Sequence, residues 1–300
     1  FVRRHMPAIA PLDPAFLSRL ETLRLAARRI QWGARLGGRF PINRRGSSVE
    51  FADYAQYAPG DDIRSIDWNL YARLDRLFVK LFKEEIELSV EVVIDATASM
   101  GLPTRDKFAR ATHLGLCLAY IGLAGRSQVR LSWMRPGGLS ATPWCVRRLA
   151  FGRLETEAQD IQPGGQVTMG EWARRAVAAL RMHGGQVVWL SDCLTSPAEF
   201  FRAMHLLMMK RLEIRVIQVL SPEELQPARL FRGGAVVDSE TGRTHELNYH
   251  PDELAKAVRE HNEQLDRFCK RNGILFVQHR LDEPLETFLL KTLTARGLLE

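Results

Sequence analysis

From Glu87 onward the chain alternates short apolar runs with longer amphipathic stretches. LSVEVVID, QVRLSWM, QVVWLSD, EIRVIQVL and ILFVQ are nearly continuous in apolar residues, as strands buried on both faces are. Between them, RDKFARATHLGLCLAYIGLAG, GRLETEAQDI, TMGEWARRAVAALRM, SPAEFFRAMHLLMMKR and PDELAKAVREHNEQLDRFCKRNG predict helices. Ser196 is placed to cap one of them and Asn272-Gly273 to close another. TPWCVRRLA predicts an edge strand, and a last helix is expected from about Pro284 to Arg296. GAVVDSETGRTHEL predicts a hairpin insertion near 233–248, turning at Thr241-Gly242. Strands alternating with helices predict an α/β fold over 87–300, a doubly wound, mostly parallel sheet covered on both faces.

Residues 1–86 follow a different pattern, expected as a basic N-terminal helix and a small helix/β subdomain. Asp13-Pro14 predicts a helix start, and Phe16, Leu20, Leu23, Ala27 and Ile30 recur at helical spacing as far as GARLGGRFP. Pro59-Gly60 predicts a turn. Asp61 or Asp62 is placed to cap a short helix carrying Ile63, Ile66, Trp68 and Leu70. In the plainest reading of that cluster, Arg64 or Arg73 pairs with the acids, Asp67 among them, and Trp68 packs in a core. RLFVKLFKE reads as extended.

The length, 300 residues, and a hydrophobic content of 46% suit an ordinary globular core needing no staples. Cys117, Cys145, Cys193 and Cys269 lie far apart with no C-x-x-C, which excludes a zinc knuckle or redox pair and suits a reducing compartment. No apolar run approaches the roughly 18 residues of a membrane span, and no secretory signal opens the sequence; the expected location is cytoplasmic. The chain begins at Phe1 rather than Met, which leaves room for residues upstream. The net charge of +7 resides in the N-terminal arm, where the first 45 residues hold ten Arg against one Asp and one Glu. Such an arm is either a solvated helix face or a footprint for an anionic partner.

The chemistry gathers at strand ends. Asp95 closes one buried strand and Asp192 another, and ligands of open α/β sheets sit beyond the carboxyl ends of strands. Thr97 and Ser99 follow Asp95 at alternate positions, so their hydroxyls can face one ion together with the carboxylate. Oxygen donors of this kind suit Mg²⁺, or Mn²⁺ or Ca²⁺, rather than zinc or copper. Here the chain resembles the von Willebrand factor type A domain with its metal-ion-dependent adhesion site, an Asp-x-Ser-x-Ser followed by a distant Thr and a distant Asp. The matching positions are Asp95-Ala-Thr97-Ala-Ser99, then Thr168 in GGQVTMG, then Asp192. Thr97 stands where the pattern has Ser, and the loop of Thr168 carries extra residues after its glycines. FADYAQYAPGDDIRSIDWNLYARLDRLFVKLFKEE ahead of VVIDATASM, with SPEELQP and VVDSETGR downstream, is similar to the bacterial family called domain of unknown function 58. That resemblance implies a type A domain and a task shared with a MoxR-type AAA+ ATPase.

Enzyme signatures are missing. G-x-S-x-G, H-E-x-x-H and G-x-x-x-x-G-K-[ST] do not occur. An aspartyl-phosphate phosphatase needs a second acid two residues after the nucleophile, where Thr97 stands, and no His, Lys or Cys lies at motif spacing to the pocket. His113 reads as a packed helix residue, and MHLLMMK as core. The sequence therefore predicts a non-enzymatic, metal-assisted protein-binding module, an adaptor whose partner offers an acidic residue to the ion. Two other classes stay open: a nucleic-acid or anionic-surface binder acting through the Arg-rich arm, and a metal-dependent phosphohydrolase.

Overall fold

The computed structural model describes residues 12–26, 50–58, 63, 66–83, 88–104, 106–136, 138–179, 185–226, 235–237, 244–246 and 251–300. It divides into two compact units, one formed by residues 1–27 together with 88–300, the other by residues 28–87. Helix α1 (Pro14–Leu20) starts as expected, with the Asp13 carboxylate accepting from the Ala15 amide. It stops ten residues earlier than the periodicity suggests. Leu25 instead pairs with Leu299 in an isolated bridge, flanked by bonds from Arg24 N to Glu300 O and from Ala26 N to Leu298 O. Leu20 and Leu25 are buried in the core of the large unit. This corrects the expected division at residue 86, because the burial of these leucines ties the N-terminal segment to the large unit.

In the small unit, β1 (Glu50–Gln56) and β2 (Phe78–Lys83) pair antiparallel, with a bulge between Phe51 and Asp53. Helix α2 (Trp68–Leu74) lies between them in sequence. Its cap is Asp67, whose Oδ1 accepts from the amides of Asn69 and Leu70 at 2.9 and 3.2 Å, while Oδ2 accepts from the Tyr54 hydroxyl. Asp61, Asp62 and Arg64 lie outside the described residues. Trp68 is not a core residue. It is 62% exposed and meets Tyr71 edge to face.

The large unit carries β3 (Ser89–Asp95), β4 (Gln128–Arg135), β5 (Gly138–Ala141), β6 (Gln186–Ser191) and β7 (Glu213–Leu220), then the hairpin β8 (Ala235–Val237) and β9 (Thr244–Glu246), and β10 (Leu275–Arg280). Six of these strands form one sheet in the order β10-β7-β6-β3-β4-β5, all parallel neighbours except the β4–β5 pair. The edge strand is β5. The TPWCVRRLA stretch contributes only a bridge from Cys145 to Val129 and then turns helical. Helices α3 (Asp106–Ala124), α4 (Phe151–Gln159), α5 (Met169–Ala179), α6 (Pro197–Met208), α7 (Pro222–Leu225), α8 (Pro251–Arg271) and α9 (Leu285–Thr287), which runs into a π-helical turn at Phe288–Leu293, complete the unit. Side chains alternate across β3. Val90, Val92 and Ile94 share a core with Leu114 and Leu118 of α3, whereas Val93 shares another with Trp172 of α5 and Phe200 and Met204 of α6. A Cβ at Gly115 would stand 2.9 Å from Ile94 Cδ1, so glycine is what lets α3 rest this close to β3. The fold class is the doubly wound α/β sheet expected from the sequence. Counted within this six-stranded sheet, the strands run 3-2-1-4-5-6, and the order reverses between β3 and β6, where a crevice opens at the carboxyl ends.

Candidate metal centre

One strand at the reversal ends in a predicted carboxylate, Asp95, and the other is followed directly by Asp192. After Asp95 the chain turns through a short 3₁₀ helix, Ala98–Gly101, rather than running extended. The hydroxyls still converge. Asp95 Oδ1 accepts from the Thr97 amide at 2.9 Å and from Thr97 Oγ1 at 2.7 Å, and Thr97 Oγ1 lies 3.1 Å from Ser99 Oγ. The other carboxylate oxygen, Oδ2, accepts from Ser191 Oγ, the last residue of β6, at 2.6 Å.

Asp192 follows directly. Its Oδ2 accepts from Lys107 Nζ at 2.9 Å, its Oδ1 from the Leu194 amide at 3.2 Å, and its carbonyl from Gln218 Nε2 at 3.0 Å. Cys193 then takes a left-handed backbone, φ 55°, and its carbonyl lies 2.9 Å from His261 Nε2 of α8. The turn that presents Asp192 is thereby held from β7 and α8. Lys107 is fully buried and also donates to Glu224 Oε1 at 2.6 Å. Glu224 in turn closes a capping box with Ser221 at the start of α7.

Thr168 arrives on a third loop, stitched to the first by bonds from Gly164 N to Ala96 O and from Ala98 N to Gly165 O. Gly165 has φ +68°, and a Cβ there would collide with the ring of Pro136, so this one glycine of GGQVTMG serves both conformation and close approach. Thr168 Oγ1 accepts from the Glu171 amide at 3.1 Å, at the start of α5. All five predicted residues, Asp95, Thr97, Ser99, Thr168 and Asp192, line one cavity of about 320 Å³, with Ser191, Leu194 and Glu199 also in its wall.

The electrostatics differ at the two carboxylates. Burial first, and the nearby Asp192 charge second, push the Asp95 carboxyl up to about 7, against the lowering effect of its bonds to Ser191 and Thr97. Burial works against the Lys107 ammonium, but Asp192 and Glu224 outweigh it and its pKa lies above the ordinary lysine value. For Glu224, burial outweighs the pull of Lys107 and raises its pKa.

The donors fit a hard cation. An octahedral Mg²⁺ with oxygens at about 2.0–2.1 Å sets neighbouring oxygens about 2.9 Å apart; the separations of Thr97 Oγ1 from Asp95 Oδ1 and from Ser99 Oγ are 2.7 and 3.1 Å. Among the described residues no group of three or more His, Cys, Asp or Glu is placed to hold a metal ion, so a cation here would rest largely on hydroxyls. A bound cation would supply charge to the buried Asp95 and a coordination position for an incoming oxygen.

Sequence reasoning missed Ser191, Lys107 and Glu224. Against the expectation that no His, Lys or Cys stands at the pocket, Cys193 lines the cavity, while Lys107 stands behind Asp192 outside the lining. Met204 and Leu207 are core as expected, while Met209 is exposed. The four cysteines are free and buried. Among the described residues no helix is long and apolar enough to cross a membrane.

Comparison with known proteins gives a family. The family described as "Protein of unknown function DUF58" matches residues 53–270. The chain is 26% identical over 282 residues to the uncharacterised proteins Rv1480 of Mycobacterium tuberculosis and Mb1516 of Mycobacterium bovis, a match covering 90% of this chain and 86% of each relative. Similar solved structures include the conserved hypothetical protein BatB of Bacteroides thetaiotaomicron (13% identity, TM-score 0.42, 70% of this chain and 98% of that one). A von Willebrand factor type A protein of Catenulispora acidiphila is another (16% identity, TM-score 0.38, 64% and 44%). The chain belongs to the DUF58 family.

Proposed function

We propose that this member of the DUF58 family is a non-enzymatic protein-binding module that uses a divalent cation, Mg²⁺ or in its place Mn²⁺ or Ca²⁺, to capture an acidic residue of a partner. Asp95, Thr97, Ser99 and Thr168 would hold the ion, with Asp192 in the wall of the same cavity. The observation that supports this reading is the convergence of three loops on one cavity, with Thr97 Oγ1 2.7 Å from the Asp95 carboxylate and 3.1 Å from Ser99 Oγ. Oxygens at those spacings suit one hard cation. Hydroxyl donors add no negative charge, so a bound cation keeps a positive surplus that a carboxylate from outside can satisfy. A MoxR-type AAA+ ATPase is the partner to which the family resemblance leads.

Calorimetric titration of purified protein with Mg²⁺ and Mn²⁺ tests the site. Wild type is expected to bind and Asp95→Ala to lose binding while remaining folded by circular dichroism. Equal binding by both would remove Asp95 from the centre. In the same preparation phosphate esters and nucleotides are expected to stay intact, and Asp95-dependent hydrolysis would replace this reading with a phosphohydrolase.

A further inference from the structure

Lys107 is fully buried, and its ammonium bridges Asp192 Oδ2 at 2.9 Å and Glu224 Oε1 at 2.6 Å. It approaches from α3, behind the carboxylate, and is not part of the cavity wall that Asp192 helps to form. A solvent-excluded ammonium this close competes directly with a cation for the same carboxylate, because Coulomb terms gain strength as water is removed. Glu224 moderates the competition by sharing the ammonium. We propose that Lys107 sets the affinity of the centre: it competes with the cation for Asp192, leaves the ion to Asp95 and the hydroxyls, and so keeps metal binding weak until an acidic ligand completes the charge. The inference rests on the metal reading above and adds to it a control located outside the ligand shell.

Two variants move the balance in opposite directions, which a merely structural role would not do. In Glu224→Gln the ammonium is left to Asp192 alone, and Mg²⁺ affinity should fall about threefold or more. In the double variant Lys107→Met/Glu224→Gln the counter-ion is gone without stranding Glu224, and Asp192 can turn to the cation. Mg²⁺ affinity should then rise about tenfold, since charge count tunes such sites over orders of magnitude. Both are read by isothermal calorimetry with Mg²⁺ alone as probe, beside wild type, on samples whose thermal unfolding is cooperative. Opposite shifts support the inference. A double variant that folds and binds with wild-type affinity overturns it while the metal reading stands. Absence of Mg²⁺ binding in all three proteins overturns both.

Discussion

Asp95 ends one strand, Asp192 directly follows its neighbour, and both face one cavity, yet their charges are answered in different ways. Among the described residues, Asp95 is met only by neutral donors: the Thr97 amide, the Thr97 hydroxyl and the Ser191 hydroxyl. Asp192 is met by an ammonium. Neutral donors lower a buried carboxyl's pKa but do not offset its desolvation, and Asp95 is accordingly pushed up to about 7. The Asp192 charge adds to the burial of Asp95, and Lys107 supplies a cationic partner at Asp192. The difference separates a position that is open to a divalent ion from one already neutralised by the protein.

The largest expected effect tests the neutralised side. Lys107→Met leaves Asp192 and Glu224 buried with no counter-ion, and stability should fall by about 3–5 kcal/mol in urea unfolding. Adding Glu224→Gln should recover part of that loss. A single variant as stable as wild type would mean that the ammonium does not carry the contrast between the two carboxylates.

The next effect tests the open side. With its folded pKa raised to about 7 from 3.8, Asp95 holds a proton in the folded state over a range where the unfolded chain has lost it. Stability of cation-free protein therefore falls as pH rises through roughly 4 to 7 on this account. His279 acts with the opposite sign. Burial, and then Arg110, lower its pKa to about 4, so its contribution to stability rises with pH between about 4 and 6.5. Wild type alone mixes the two, and the difference from Asp95→Asn isolates Asp95. Between pH 5.5 and 7.5 in EDTA the variant should gain about 2 kcal/mol relative to wild type, from roughly 1.5 pH units at about 1.4 kcal/mol each. Saturating Mg²⁺ should stabilise wild type at pH 7.5 and leave the variant almost unmoved. A parallel pH dependence in the two proteins would mean that Asp95 titrates as an ordinary surface carboxyl.

The same contrast governs what the sequence made legible. The three members of the Asp95 loop lie two residues apart, and local spacing alone brings their oxygens together, even though the loop closes as a 3₁₀ turn. Asp192 was legible as a strand end. Its partners were not, because Lys107 comes from 85 residues upstream and Glu224 from 32 residues downstream, and only the packing of α3 beneath the sheet and of α7 beside it makes them neighbours. The parallel strands were legible because burial on both faces writes continuous apolar runs. Trp68 was misread for the complementary reason. Its spacing matches a helix stripe, but the side chain lies 62% exposed against Tyr71. Residues Leu20 to Ala26 were misread because a helical period of leucines also fits a strap laid across a core.

The smallest effect concerns the loop that joins the two sides. Thr168 Oγ1 already accepts the Glu171 amide at 3.1 Å as the cap of α5. A hydroxyl has two lone pairs, so capping leaves one free for a cation in the cavity. Thr168→Ala removes both roles and should cost about 1 kcal/mol of stability, the usual worth of a cap, together with a severalfold loss in Mg²⁺ affinity. Thr168→Ser keeps the hydroxyl and should retain both. Thermal unfolding in EDTA reports the cap alone, and calorimetric titration reports the cation. If Thr168→Ala lowers the unfolding temperature but leaves Mg²⁺ affinity at the wild-type value, Thr168 is a cap and nothing more. The cation would then belong to the β3 loop and the end of β6, and Asp95 with its two hydroxyls would carry the centre without the third loop.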